Sequence, residues 1–400
     1  MIHQTVKLSS LLAILGMLCT LVLSGCLSPI TLNRAVTTYD EAVTEAISKQ
    51  LLINIARAHQ HQPIHFTGVS NIAATFEFRV SAGATPALTG EASKTLLPIF
   101  GGSVAENPTI SIVPIDGEEF TKRLLTPFPE SKLLLLLRQR YDIDLLLRLM
   151  TQELLMKEGG QEVAYRNTPA DPKGYEMFRR VVTHMSSIQD RNQLYAEPLV
   201  HTRTWTIPAG SVTAEGFQAL QKEYLVTYNQ KDKTYTLRKQ VLGRILITNY
   251  DPGTLPLNER AQLVDETEEG HLTDVSFDIR SGHVGGEYPL KGYFRLRSFN
   301  NILAVLGRSL EKDPEYPVDP DPRTAPVEEN PVHTMELVLS ENAPKGADLA
   351  VQSRGKYYAV NTTGPLARWN REAFQLLYLL FQMTVSDIPR VGVPSITIAK

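Results

Sequence analysis

Apolar residues recur every three or four positions over 37–58, TTYDEAVTEAISKQLLINIARA, and put Val43, Ile47, Leu51, Ile55 and Ala58 on one helical face. Acids lead (Asp40, Glu41, Glu45) and bases follow (Lys49, Arg57), the order a helix dipole favours. The period drops to two at ATFEFRV, 74–80, and at TISIVPI, 109–115, which predicts strands. The second strand runs into a helical stretch, EEFTKRLLTPF. SKLLLLLRQRY and IDLLLRLM are two apolar helical pieces divided at Asp142. A further helix opens at Pro172 with Asp171 as its N-cap and runs to about Gln193. LVHTRTWTI alternates, TAEGFQALQKE is helical, and YLVTYNQKDKTYTLRK is a hairpin turning near Gln230–Lys233.

The last third has an order of its own. Strand GYFRLRS leads to helix FNNILAVLGRSL, capped by Ser298, with Phe299, Ile302, Leu303, Leu306 and Leu310 on one face. Strands HTMELVLS and LAVQSRGKYYAVN follow, then helix WNREAFQLLYLLFQMTV and strand PSITIAK. That β-α-β-β-α-β order is the split βαβ, with two helices on one face of a small antiparallel sheet. The chain as a whole predicts the α+β class, with small antiparallel or mixed sheets and packed helices. It divides into an N-terminal α+β domain over 37–195 and a C-terminal one over 196–400.

Three stretches break the pattern. DPEYPVDPDPRTAPVEENP, 313–331, carries six prolines and reads as an extended, exposed linker. Residues 84–108, rich in Gly, Pro and small side chains, read as a long loop or a hairpin tip, and 251–271 as a polar, turn-rich region. Trp369, Tyr378 and Phe381 do not share one narrow face, so the last helix is either deeply buried or also meets a partner.

The N-terminus supplies location. Lys7 and the amino group precede an apolar run over 8–23 that stops at Ser24 and Gly25, shorter than the roughly 20 residues of a spanning helix. Leu23-Ser24-Gly25-Cys26 resembles the lipobox of bacterial lipoproteins. The resemblance implies a signal peptide over 1–25, a diacylglyceryl group on the Cys26 thiol, cleavage before it, and acylation of the new N-terminus. Residues 26–36 are then a lipidated tether, held by several acyl chains where one would be marginal. Leu27 follows, not aspartate, which by the same resemblance implies the outer membrane of a Gram-negative bacterium and a periplasmic body. The segment 39–78, FRLRSFNNILAVLGRSL, and SRGKYYAV with its following helix resemble an uncharacterised family of predicted Gram-negative outer-membrane lipoproteins. That likeness adds to the envelope location and lends no catalytic residue.

Charge and candidate chemistry narrow the function classes. Forty basic residues face 43 acidic ones, evenly mixed, for a formal net charge of −3, so no basic stripe exists to track phosphates and nucleic acid is not an expected partner. The two cysteines are Cys19, inside the leader, and Cys26, committed to lipid, which leaves no disulfide and no thiolate site. His59, His61 and His65 in AHQHQPIHF are candidate metal ligands. Pro63 separates them, no nearby acid completes a zinc set, and a solvated helix end accounts for them more simply.

Asp116, Glu118 and Glu119 fit either acid–base work or the acidic first turn of a helix. RSGHVGGEYP, 280–289, with Gly282, His283, Gly285, Gly286 and Glu287, fits a ligand loop or a tight turn and matches no phosphate-binding fingerprint. The helix and hairpin of 213–239 are ordered like a winged helix, but acidity and export argue against DNA. The serine-hydrolase string G-x-S-x-G and the zinc-protease string H-E-x-x-H are missing. The expectation is therefore a lipid-anchored scaffold or assembly component of an envelope complex, with no cofactor and no assigned catalytic residue. Its partners would be the outer membrane, through lipid on Cys26, and envelope proteins. The alternative is a periplasmic enzyme or ligand-binding protein acting on cell wall or glycan, with its site at a domain boundary.

Overall fold

In a computed structural model of the chain, the described residues are 33–86, 96–158, 161–268 and 270–385. The expected leader and Cys26, residues 87–95 and the expected last strand PSITIAK lie outside them. The chain forms two compact units, one containing 33–52 and 65–116, the other 53–64 and 117–385. Helix α1, 33–59, begins in the first and ends in the second. No helix among the described residues is long and apolar enough to cross a membrane.

The first unit is α1 and one long hairpin. Strand β1, Phe66–Pro86, pairs antiparallel with β2, Leu96–Ile115. Twenty pairs run from Phe66↔Ile115 to Pro86↔Leu96, with one irregularity between Val69 and Asn71. No third strand joins either edge among the described residues. At its base the Thr67 amide donates to Gln50 Oε1 of α1 (2.7 Å), and Leu51, Leu52 and Phe66 are fully buried. Of the two readings of 84–108, a long loop or a hairpin tip, the described residues fit the hairpin, with paired strand at 84–86 and 96–108. Its glycines and prolines hid an alternation that continues from the two recognised strands.

The second unit is built on a seven-stranded sheet. Its helices are α2 (Glu118–Leu125), α3 (Glu130–Arg138), α4 (Ile143–Met150), α5 (Pro172–Asp190), α6 (Ala214–Glu223), α7 (Leu257–Glu268), α8 (Phe299–Arg308) and α9 (Ala367–Thr384). Its strands are β3 (Thr151–Glu158), β4 (Gln161–Arg166), β5 (Tyr195–Pro208), β6 (Leu225–Asn229), β7 (Thr234–Thr248), β8 (Asp274–Ile279), β9 (Leu290–Leu296), β10 (Leu337–Ser340), β11 (Ala350–Ser353) and β12 (Lys356–Val360). The large sheet has the order β4-β3-β9-β8-β7-β5, and β6 pairs with the outer half of β7. Pairing is antiparallel except where Leu246–Thr248 meets Ser276–Asp278.

The helix starts follow from the caps. Asp142 accepts from the Asp144 amide (2.7 Å), Asp171 from Gly174 (3.3 Å) and Ser298 from Asn301 (3.2 Å), each filling one orphan N–H of a first turn. Helix α5 buries Tyr175, Phe178, Val182, Met185 and Ile188 at helical spacing. Phe178 meets Phe294 of β9 edge-on, 6.4 Å between ring centres, and Phe294 stacks at 4.9 Å on Phe277 of β8. Each such side chain contributes about 1.5–3 kcal/mol by leaving water. Helix α8 crosses the end of α1 at Gly307, where a Cβ would stand 2.7 Å from the His59 amide nitrogen.

The α+β class holds, and three expectations about arrangement are corrected. The large sheet takes β3 and β4 from before residue 195 and the rest from after it, so the division into 37–195 and 196–400 does not match the compact units. The split βαβ does not share one sheet. Strand β9 is enclosed by β3 and β8, both its edges are used, and β10-β12-β11 close a separate three-stranded sheet. The Asn370 side chain ties α9 to that small sheet, accepting from the Glu336 amide and donating to the Asn361 carbonyl (both 2.9 Å). Within 251–271 stands helix α7, whose few buried residues (Leu263, Val264, Thr267) left no visible apolar stripe.

The proline-rich stretch is extended, as its composition requires, but it is not a free linker. It follows α5 as a strap. Tyr316 donates to the Pro172 carbonyl (3.5 Å), and the Asp319 carbonyl accepts from Arg180 (3.4 Å). Thr324 meets His184 Nδ1 (3.1 Å), and the Glu328 amide donates to Asp190 (3.0 Å). Polar side chains of α5 supply the partners a proline-rich backbone cannot find in itself.

Candidate functional site

The most concentrated polar chemistry in the larger unit lies where the strap ends. IDLLLRLM places Asp144 and Arg148 one turn apart on α4, both fully buried. Arg148 donates to the carbonyls of Pro331 (2.8 Å) and Val332 (2.6 Å), to Thr334 Oγ1 (3.1 Å) and to Glu315 (3.2 Å). Asp144 accepts from Arg179 of α5 (2.7 Å), and Arg179 also donates to Asn330 (2.8 Å). Glu315 accepts from the Thr334 amide and hydroxyl (both 2.6 Å) and from the Tyr175 hydroxyl (3.3 Å). Burial pushes the Glu315 carboxyl up, but Arg148 and the Thr334 bonds outweigh it and hold it below the usual range. Burial and the Glu315 charge both raise the Tyr175 phenol.

Arg297 sits beside this cluster without a carboxylate. It donates to the Asn167 carbonyl (2.6 Å) and to the Arg148 carbonyl (3.2 Å), so it caps the C-terminal end of α4. Burial, with the charge of Arg308 adding, pulls its pKa down to about 9. Its Nε lacks a partner among the described residues, and Arg297 lines a cavity of about 20 Å³ with Asn167 and Ser309. That volume suits one water molecule. The cluster fastens the strap to α4 and α5, and its carboxylates are neutralised from within.

The candidates read from sequence do not assemble into a reaction centre. His59 bonds Tyr358 through Nδ1 (2.9 Å) and Glu311 through Nε2 (3.2 Å). His61 stands exposed in the turn after α1 with φ at 55°, and His65 is exposed before β1. No group of three or more His, Cys, Asp and Glu among the described residues is placed to hold a metal. Glu118 and Glu119 occupy the first turn of α2 and pair with Lys122 (2.9 Å) and Arg123 (3.8 Å), and Asp116 is exposed.

The glycine-rich stretch is a turn held from below. The Gly285 carbonyl bonds His184 Nε2 (2.9 Å), and Asn249 Nδ2 donates to the carbonyls of Arg280 (2.9 Å) and Val284 (3.1 Å). Gly282 and Gly285 take φ of 86° and 81°, which explains the glycines, while His283 and Glu287 are exposed. On α9, Trp369 and Phe381 are buried and Tyr378 is half-buried, so that helix belongs to the core. In 213–239 the aromatics meet one another, Phe217 with Tyr235 at 5.0 Å and Trp205 of β5 with Tyr224 at 5.5 Å.

The feature that stays open is the hairpin. Its register pairs Ile72 with Ile110, Phe78 with Val104 and Ala82 with Phe100 on one face of the ladder. The alternate positions pair Thr75 with Asn107, Arg79 with Ser103 and Ser81 with Gly101. Neither alternating set is uniform, since Phe76 pairs with Glu106 in the first and Gly83 with Ile99 and Thr85 with Leu97 in the second. The sequence disclosed its strands only over 74–80 and 109–115. The buried cluster could have been found too, from the Asp144/Arg148 pair inside an otherwise apolar helix. No protein-family model matches the chain, and no curated protein or solved structure shows significant similarity to it.

Proposed function

We propose that this chain is a lipid-anchored assembly component of the bacterial cell envelope. Acyl chains on Cys26 hold it at the outer membrane, the body lies in the periplasm, and its role is that of a scaffold in an envelope complex. The observation that carries this reading is the 20-pair hairpin with no third strand among the described residues. A two-stranded hairpin is marginal in water, and an open strand edge is a template for another chain. The strap cluster neutralises its own carboxylates, so contact rather than group transfer fits what the geometry offers.

The test is photo-crosslinking in intact cells, with a reactive residue placed at Thr75 or Asn107 and a control at the exposed Leu257 of α7. Hairpin positions should give discrete heavier adducts and the control none. Cys26→Ala should accumulate as unprocessed precursor without palmitate label, and its hairpin adducts should vanish. Cleavage and labelling that persist in Cys26→Ala would remove the anchor.

A further inference from the structure

We infer that the cavity beside Arg297 is a binding site for one monovalent anion of halide size. It lies within the larger unit and stands apart from the envelope reading above. Donors, charge balance and size lead to it.

The donors belong to Arg297. A guanidinium carries five N–H groups. Arg297 is 2% exposed, and its Nη1 and Nη2 donate to the carbonyls of Arg148, Leu149 and Asn167. The Nε–H and one Nη2–H find no acceptor among the described residues, and the Nε atom is itself buried. Buried donors are nearly always paired, so these call for an acceptor that the chain does not supply.

The charges around the cavity do not cancel. Its lining holds three guanidinium groups, Arg148, Arg297 and Arg308, and two carboxylates, Asp313 and Glu315. Arg148 and Glu315 hold each other at 3.2 Å. The side chains of half-buried Arg308 and buried Asp313 form no ion pair among the described residues. Burial already disfavours the charge on Arg297, and Arg308 adds to that. With Asp313 set against one arginine, one positive charge remains. Taking in the rest of the cluster keeps the excess, because Arg179 and Asp144 add one charge of each sign. The carbonyl end of α4 attracts Arg297 but brings no net charge. A monovalent anion closes the balance, and a water molecule does not.

Size sets the class. About 20 Å³ takes one water-sized particle, which suits a halide and excludes a tetrahedral oxyanion such as sulfate or phosphate. Ile302, Val305 and Leu306 of α8 form an apolar wall, which strengthens the attraction between an ion and the arginines. The lining comes from α4, α8, the turn after β4 and the two moored ends of the strap at Glu315 and Thr334. A bound halide adds one more tie among them.

The experiment uses the full chain in sodium methanesulfonate, titrated with chloride at constant ionic strength. The chloride NMR line should broaden saturably, bromide should compete, and sulfate and phosphate should not. Melting of the larger unit should rise with chloride. Arg308→Gln, which spares the buried guanidinium, should weaken chloride binding at least tenfold. Arg138→Gln, at the exposed end of α3, should leave it unchanged. Arg297→Gln should abolish it, and Arg308→Gln carries the test if that variant does not fold. Equal melting in chloride and methanesulfonate, with no saturable broadening, overturns the site and leaves water as the occupant. Broadening that Arg308→Gln does not change overturns the location, and competition by sulfate or phosphate overturns the size class.

Discussion

The strap of the larger unit and the hairpin of the smaller one are both long extended segments, and they satisfy their backbones differently. The strap gives its carbonyls at Asp319, Pro331 and Val332 to arginines of α4 and α5. It closes on its own chain, and the buried carboxylates beneath it, Asp144 and Glu315, are each matched by an arginine. The hairpin satisfies each strand along one edge only, among the described residues, and leaves the other edge available. Extended chain fixed by its own neighbours stabilises the unit that contains it. Extended chain left half-satisfied is what the proposed assembly role would use.

If that contrast is right, substitutions in the larger unit should change melting, and substitutions in the hairpin should change assembly alone. Arg148→Ala leaves Glu315 and Asp144 short of a buried partner and frees the carbonyls of Pro331 and Val332. A loss of about 3–5 kcal/mol in denaturant titration is expected. Gly292→Ala would push a Cβ onto the Leu155 carbonyl oxygen in the adjacent strand, costing about 1–3 kcal/mol in the same assay.

Asp142→Asn tests electrostatics at a cap. Burial, with Asp144 adding, raises the Asp142 carboxyl from 3.8 to about 7. A raised acid favours the folded state only while protonated, so its contribution is complete below about pH 4 and fades as pH climbs through about 7. Asparagine keeps the cap bond and never ionises. The variant should be more stable than the parent by about 1–3 kcal/mol at pH 8, with the gap shrinking toward pH 4, as thermal melts across pH would show. At the small end, Val80→Lys should move the melting of the larger unit by less than about 0.5 kcal/mol. A large shift there would break the contrast, because the hairpin would then be stabilising the body.

Local chemistry was the part of this fold that could be read from residues alone. Asp171 and Ser298 cap the helices their positions announced, Asp142 divides two helices and also caps the second, and α5, α8 and α9 show apolar faces long enough to be seen. The turn at 280–289 keeps its glycines for positive φ. What escaped is decided at a distance. Gly83, Gly101 and Gly102 look like loop residues until their cross-strand partners are known. The strap looked solvated because its hydrogen-bond donors lie about 140 residues away on α5. Strand β9 looked like the edge of a small sheet because β3, which occupies its flank, comes from far earlier in the chain. Of the candidate site, the alternation at 74–80 was visible, and the extent and register of the ladder were not.

Arg323, on the exposed side of the strap, stacks on Tyr288 at 3.8 Å and pairs with Asp321 (2.7 Å). The segments before and after it are each moored separately, at Glu315 on one side and at Asn330–Thr334 on the other. Proteolytic nicking after Arg323 would therefore yield two bands on a denaturing gel from what still sediments as one particle. The same bond marks where the gene could be divided and its halves expressed as complementing fragments.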